Sequence, residues 1–239
     1  MAMKKVAIVI PSFNEGERVL ITLKEISQYL LDAKNPNWKF EFVVIDDASH
    51  VPLTINEELE DILPFSLIRH PINLGQGASL ATGFQYCRNV IKPDFILTMD
   101  ADGQHSVESI FCFLDMCFEK KLDIIFGNRF ATHSNVPFIR KIVLKLAKNF
   151  EYILSGLNLS DAHNGFRVLN AKALDLMYLN QNRMAHATEI KLLTAKHRLK
   201  YGEAPCLISY TSESLQKGQS SLGSVAILRD LFKNYLFDR

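Results

Sequence analysis

Phe95-Ile96-Leu97-Thr98-Met99-Asp100-Ala101-Asp102-Gly103-Gln104-His105 joins an apolar run to two carboxylates one residue apart, then a glycine, an amide and an imidazole. An apolar run of that length is the pattern of a parallel strand buried on both faces. Ligands of open α/β sheets collect at the carboxyl ends of strands. Asp100 and Asp102 are therefore expected to leave the sheet where a ligand binds. Two hard oxygen donors at that spacing suit Mg²⁺ or Mn²⁺ and leave positions open for phosphate oxygens. Gln104 can add a neutral oxygen. The alternative for the same residues is a solvated acidic turn.

The same reading extends outward along the chain. Val6–Ile10, Phe40–Ile45, Phe65–Ile68 and Leu122–Phe126 are further short apolar runs. Between them, Val19, Leu20, Leu23, Ile26 and Leu30 have helical spacing, as do Gly77–Val90 and Val107–Phe118. Strands alternating with helices predict βαβ units and a mainly parallel sheet. After Arg129 the pattern changes. Ile139, Ile142, Val143, Leu146 and Phe150 mark an amphipathic helix whose other side carries Arg140, Lys141, Lys145 and Lys148. A strand near Phe166–Leu169, helices near Ala171–Tyr178 and His186–His197, and a strand near Ala204–Tyr210 follow. The polar loop Thr211–Ser221 and an amphipathic segment Leu222–Phe237 close the chain. One domain over 1–239 is expected, with a nucleotide-type half to about residue 129 and an acceptor-side half from about 130.

Bulk properties narrow the classes. The 239 residues are 48% hydrophobic and 22% charged, ordinary for a globular protein with a real core. A formal net charge of +1 gives no global field for nucleic acid. No apolar run reaches the roughly 18 residues of a membrane-spanning helix, and Met1–Ile10 is too short for a signal-peptide core. Cys87, Cys112, Cys117 and Cys206 match no zinc or redox spacing, and Cys112 and Cys117 are expected in the core. A reducing cytoplasm is the compartment these features imply.

Each strand end carries polar residues. Pro11-Ser12-Phe13-Asn14-Glu15 follows the first strand, where Pro11 is expected to end the ladder, and either a helix cap or a ligand contact fits. Asp46-Asp47-Ala48-Ser49 follows the second; a carboxylate there can accept from a nucleobase or ribose, or cap a turn. Asn73-Leu74-Gly75-Gln76-Gly77-Ala78, with Gly83 beyond, lets backbone approach a phosphate at a helix start, or simply makes a tight turn. Arg129, in Gly127-Asn128-Arg129, is a phosphate contact or a surface arginine. Asp161-Ala162-His163-Asn164-Gly165-Phe166-Arg167 offers Asp161 as a general base, a sugar ligand or an anchor for Arg167. His186 and Glu189 share a helix face; a metal pair there has no evident third ligand, so a substrate contact or a buried pair is preferred. Lys217-Gly218-Gln219-Ser220-Ser221 is a basic loop that either closes over a diphosphate or is an ordinary mobile loop.

Taken in order, these segments resemble the family 2 glycosyltransferases of GT-A fold, closest to the dolichyl-phosphate mannose synthase type and its bacterial polysaccharide-cluster relatives. The resemblance runs from Ile8-Val9-Ile10-Pro11 to Lys217-Gly218-Gln219-Ser220-Ser221. It implies that Asp47 holds the base, with Pro11, Asn14 and Glu15 lining its pocket. It implies that Asp100, Asp102 and Gln104 hold the metal on the donor diphosphate, beside Ala101. Arg129 and the region of Arg140 would face an acceptor phosphate. Many lipid-phosphate members continue into membrane-spanning helices, whereas the sequence here stops at Arg239.

The expected reaction moves a sugar from a UDP- or GDP-sugar to a polyprenyl phosphate or a growing cell-surface glycan, with inversion at the anomeric carbon. A hydroxyl acceptor needs a base, Asp161 first and Glu189 second; a phosphate acceptor is already ionised. Arg129 and the Lys217 loop would stabilise the departing diphosphate. Peripheral contact with the inner face of a membrane through the Arg140–Lys148 helix is one reading of its basic face; a solvated face is the other. A sugar-1-phosphate nucleotidyltransferase would want a glycine-rich basic loop after the first strand. An aspartyl phosphatase would want its Asp-x-Asp there. A non-catalytic nucleotide-sugar-binding subunit is the remaining alternative.

Overall fold

The computed structural model describes residues 3–54, 64–129, 131, 152, 155–161 and 164–207. The expectations for His163, the Arg140 helix, the Lys217 loop and the Leu222–Phe237 segment lie outside those residues.

The apolar runs form strands because neighbours bury both of their faces. β1 (Lys4–Ser12) is followed by helix α1 (Glu17–Asp32), then β2 (Trp38–Asp46) and β3 (Phe65–Arg69). Helix α2 (Gln76–Tyr86) runs on into a wider π turn, Cys87–Ile91, before β4 (Phe95–Thr98). Then come α3 (Ser109–Glu119), β5 (Ile124–Asn128) and β6 (Arg167–Asn170). The described part ends with α4 (Ala171–Leu176), α5 (His186–Lys196) and β7 (Tyr201–Pro205). The strands make one seven-stranded sheet in the order β3-β2-β1-β4-β6-β5-β7. All pairings are parallel except those of β6, which is antiparallel to both β4 and β5.

Alternation along β1 divides the core in two. Val6, Ile8 and Ile10 join Val19, Leu23, Ile26 and Leu30 of α1 and Phe113 and Leu114 of α3 on one face. Ala7 and Val9 join Leu80 and Phe84 of α2 and Ile190 of α5 on the other. With both faces covered, the strands read as continuous apolar runs rather than alternating ones.

Three expectations need correction. Pro11 does not end the ladder: it pairs with Ile45, and β1 continues to Ser12 opposite Asp46. A proline is tolerated in a parallel ladder where its nitrogen need not donate. Cys112 is exposed, whereas Cys117 is buried, because five positions along a helix turn a residue well away from the core face. The last described strand begins at Tyr201, not Ala204; Gly202 and Glu203 interrupt its apolar pattern, as a strand with β5 as its one neighbour among the described residues permits.

The register fixes the site. Ser12 stands beside Asp46, and Val9 beside Thr98. The loops leaving β1, β2 and β4 therefore emerge along one edge of the sheet.

Candidate functional site

At that edge lies a cleft of about 430 Å³. Pro11, Ser12, Phe13 and Glu15 from the β1 exit line it, with Asp47 from the β2 exit. Asn73, Gly75, Gln76 and Ser79 come from the start of α2, and Asp100, Ala101 and Asp102 from the β4 exit. Arg183 and Met184, from the segment before α5, complete it.

Asp100 is held from both sides. Gln76 Nε2 donates to its Oδ1 at 2.8 Å, and His105 Nε2 lies 3.0 Å from its Oδ2. Burial pushes its carboxyl up, but the hydrogen bond and charge of His105, with Arg167 and Gln76, outweigh this and leave it below its ordinary value. Gly165 packs directly against it: a Cβ there would fall 2.5 Å from Oδ2. Thr98 Oγ1 donates to the Gly165 carbonyl at 2.7 Å and fixes that approach. Asp102 is pushed the other way, by burial first and by the charge of Asp100 against the opposing Gln104 N–H. Asp102, whose ionisation the charge of Asp100 disfavours, shares the cleft with it, and a hard divalent cation held by both would relieve that repulsion. Among the described residues no group of three or more histidine, cysteine or acidic side chains is placed to hold a metal ion, so ligand or water oxygens would be needed beside these two carboxylates. Gln104 donates its backbone N–H to Asp102 Oδ1 at 3.0 Å, and its side chain is not among the cleft's lining groups.

His105 links this pair to the core. Its Nδ1 is 3.6 Å from Cys206 Sγ and its ring lies 5.5 Å from that of Phe166. Burial lowers its basicity, but the Asp100 hydrogen bond, with Cys206 and the Asp100 charge, raises its pKa to about 9.

Asp47 lines the cleft but is already saturated. His70 Nδ1 lies 2.7 Å from Oδ1, Leu74 N–H donates to Oδ1 at 2.9 Å, and Gly75 N–H and Asn73 Nδ2 donate to Oδ2 at 2.7 and 2.9 Å. A carboxylate offers about four lone-pair sites, so these bonds occupy it. Its visible task is to hold the loop 70–75.

Four of the expected residues lie away from the cleft lining. Asp46 is fully buried, accepting from Ser49 N, Leu53 N and the Arg69 guanidinium, and does not reach the cleft. Asn14, at φ 56°, accepts from His50 N while its own N–H donates to Ser49 Oγ, so it ties two loops together instead of lining the pocket. Gly77 admits the Gln181 carbonyl, not a ligand. Glu189 accepts from Asn180 N at 2.9 Å and Gln181 N at 2.9 Å, which sets it to work as a clamp on that loop and outside the cleft. His186 Nδ1 lies 2.7 Å from the Arg183 carbonyl oxygen.

Asp161 and Arg129 are brought together. Arg129 donates from Nε at 2.6 Å and from its backbone N–H at 3.1 Å to the same oxygen of buried Asp161. Asp161 therefore anchors Arg129 and not Arg167 by hydrogen bonds. Arg167 is 2% exposed, and its Nη1 has no hydrogen-bond partner. Burial lowers its pKa to about 10 against the charges of Asp100 and Asp161, which act to raise it.

Arg183 and Met184 carried no sequence signal. Their place over the cleft comes from the long-range contact of residues 181–183 with Gly75 and Gly77, which no local spacing reveals.

The chain belongs to the glycosyl transferase family 2, whose model matches residues 7–177. It is a glycosyltransferase. A Methanococcus voltae relative, UDP-N-acetylglucosamine–dolichyl-phosphate N-acetylglucosaminyltransferase, is 24% identical over 236 residues, covering 91% of each chain. A dolichyl-phosphate β-glucosyltransferase of Trichomonas vaginalis is 28% identical over 217 residues, covering 83% of this chain but 64% of that enzyme. Glucosyl-3-phosphoglycerate synthase of Mycobacterium tuberculosis, solved with Mn²⁺, UDP and phosphoglyceric acid, superposes with a TM-score of 0.61 at 13% identity. That match covers 94% of this chain and 77% of the synthase, and it shows the shared GT-A fold. Among the described residues no helix is long and apolar enough to cross a membrane.

Proposed function

We propose that this glycosyltransferase binds a UDP- or GDP-sugar in the cleft, with Asp100 and Asp102 holding Mg²⁺ or Mn²⁺, and passes the sugar with inversion to a polyprenyl phosphate. The observation that carries the donor reading is the placement of Asp100 and Asp102 in one cleft with Pro11, Ser12 and Phe13. When bound, the metal supplies Lewis-acid stabilisation of the departing diphosphate. Gln76 and His105 fix the Asp100 carboxylate, so little reorganisation is needed when charge develops.

The acceptor reading is supported by Asp161. Its carboxylate is buried and committed to Arg129, an arrangement that stabilises a cation and does not accept a hydroxyl proton. A phosphate monoester is ionised near neutral pH and needs no base. The dolichyl-phosphate acceptors in the names of two relatives agree with this choice.

Calorimetric titration of UDP, GDP and dTDP, with and without Mn²⁺, tests the donor site. One nucleotide is expected to bind tightly in a metal-dependent manner, and Asp102→Asn is expected to abolish that dependence. Equal binding with and without metal, or in the variant, overturns the metal assignment. Sugar transfer to a short polyprenyl phosphate is expected to exceed transfer to a neutral glycan; the reverse overturns the acceptor.

A further inference from the structure

A nucleoside diphosphate carries two or three negative charges, yet the cleft is lined by Glu15, Asp47, Asp100 and Asp102. A metal on Asp100 and Asp102 offsets only part of that field. Arg183 is the one basic side chain among the described lining residues.

Its seat is fixed without a ligand. The Glu189 carboxylate receives the N–H groups of Asn180 and Gln181, and Ala78 N–H donates to the Asn182 carbonyl at 3.0 Å. The Arg183 stem lies against Gly75, where a Cβ would fall 2.9 Å from its Cγ and 2.5 Å from the Asn182 oxygen. Gly75 in turn sits midway along the cleft. Its N–H bonds Asp47, and the next side chain, Gln76, bonds Asp100. A diphosphate reaching a metal at Asp100 from the Asp47 end of the cleft would lie beside Gly75. Arg183 as a residue is exposed, and no described residue forms an ion pair with it.

We infer that Arg183 is a donor-binding residue whose guanidinium contacts the diphosphate, seated there by the Glu189 clamp and the bare backbone of Gly75. This rests on the proposed donor site and adds to it a cation from the far half of the chain. A planar fork of donors suits phosphate oxygens, and charge-assisted hydrogen bonds are the stronger ones.

The test is calorimetry of UDP and GDP with Mn²⁺ on wild type, Arg183→Gln and Arg183→Lys, with thermal midpoints measured without nucleotide. Arg183→Gln is expected to weaken whichever diphosphate the wild type binds by about tenfold or more. Arg183→Lys is expected to recover part of that loss, and neither change should move the nucleotide-free midpoint by more than about 1 °C, as for an exposed side chain. Affinity of Arg183→Gln within twofold of wild type overturns the inference while leaving the donor site intact. So does a loss shared equally by Arg183→Lys and accompanied by a lower midpoint, since that describes a structural role. Failure of the wild type to bind either diphosphate overturns the donor site and this inference with it.

Discussion

A buried carboxylate can look catalytic in sequence and be spent in structure. Asp161 accepts twice from Arg129, once from the backbone and once from the guanidinium. Loss of a general base typically costs 10²–10⁴ in rate. Asp161→Asn is therefore expected to lower kcat less than about tenfold with a polyprenyl-phosphate acceptor. Steady-state kinetics check this, and a fall of a thousandfold restores Asp161 as the base. Asp47 makes the same point on the donor side, because four donors already satisfy it. The position of Asp100-Ala101-Asp102 at the exit of β4 was legible in sequence because the apolar run ends there. The duties of Asp47, Asn14 and Glu189 were not, because each is decided by which distant N–H groups arrive. An aspartate that binds a ligand and one that ties down a loop have the same local sequence.

At the scale of elements, the strands and helices of the described part fall close to their sequence positions, since buried apolar runs and helical spacing are strong signals. The antiparallel insertion of β6 was not legible, because Val168 and Leu169 present the same apolar pattern in either direction. Glycines that looked like phosphate-loop residues turn out to admit protein. A Cβ on Gly77 would meet the Gln181 and Arg183 carbonyls and His186 Cβ, and one on Gly83 would fall 2.5 Å from Val9 Cγ1. Gly77→Ala is expected to destabilise by about 2 kcal/mol through overpacking. It should also weaken donor binding by displacing the segment that carries Arg183. Urea unfolding and diphosphate titration check the pair of effects. Gly83→Ala, which presses on the sheet, should show the first effect with little of the second.

Across the whole molecule, two buried bases pull its stability in opposite directions with pH. His105 has its pKa raised from 6.5 to about 9 in the fold, so its contribution is complete below 6.5 and is lost as pH rises through 9. Lys191 has its pKa lowered by burial from 10.5 to about 7. In the unfolded chain it binds a proton that the native state lacks between those values, so stability rises with pH there. The slopes oppose each other between about pH 7 and 9. In metal-free buffer the wild type is therefore expected to be nearly flat over that range. Lys191→Met removes the rising limb, and its unfolding free energy should fall as pH increases from 7 to 9. Denaturant midpoints at several pH values decide it; a flat profile in the variant refutes the His105 contribution.

The position of β6 also dictates the order in which the sheet can be completed during synthesis. The first four strands, β3-β2-β1-β4, can pair once residue 98 has left the ribosome. β5 follows in sequence but has no partner among them: its neighbours are β6 and β7. Until residues 167–170 emerge, β4 and β5 lack the described strand that lies between them. Unpaired edges are where nascent chains meet one another. The interval between residues 98 and 167 is thus the stretch of translation in which chaperones or slow delivery are expected to matter to this chain.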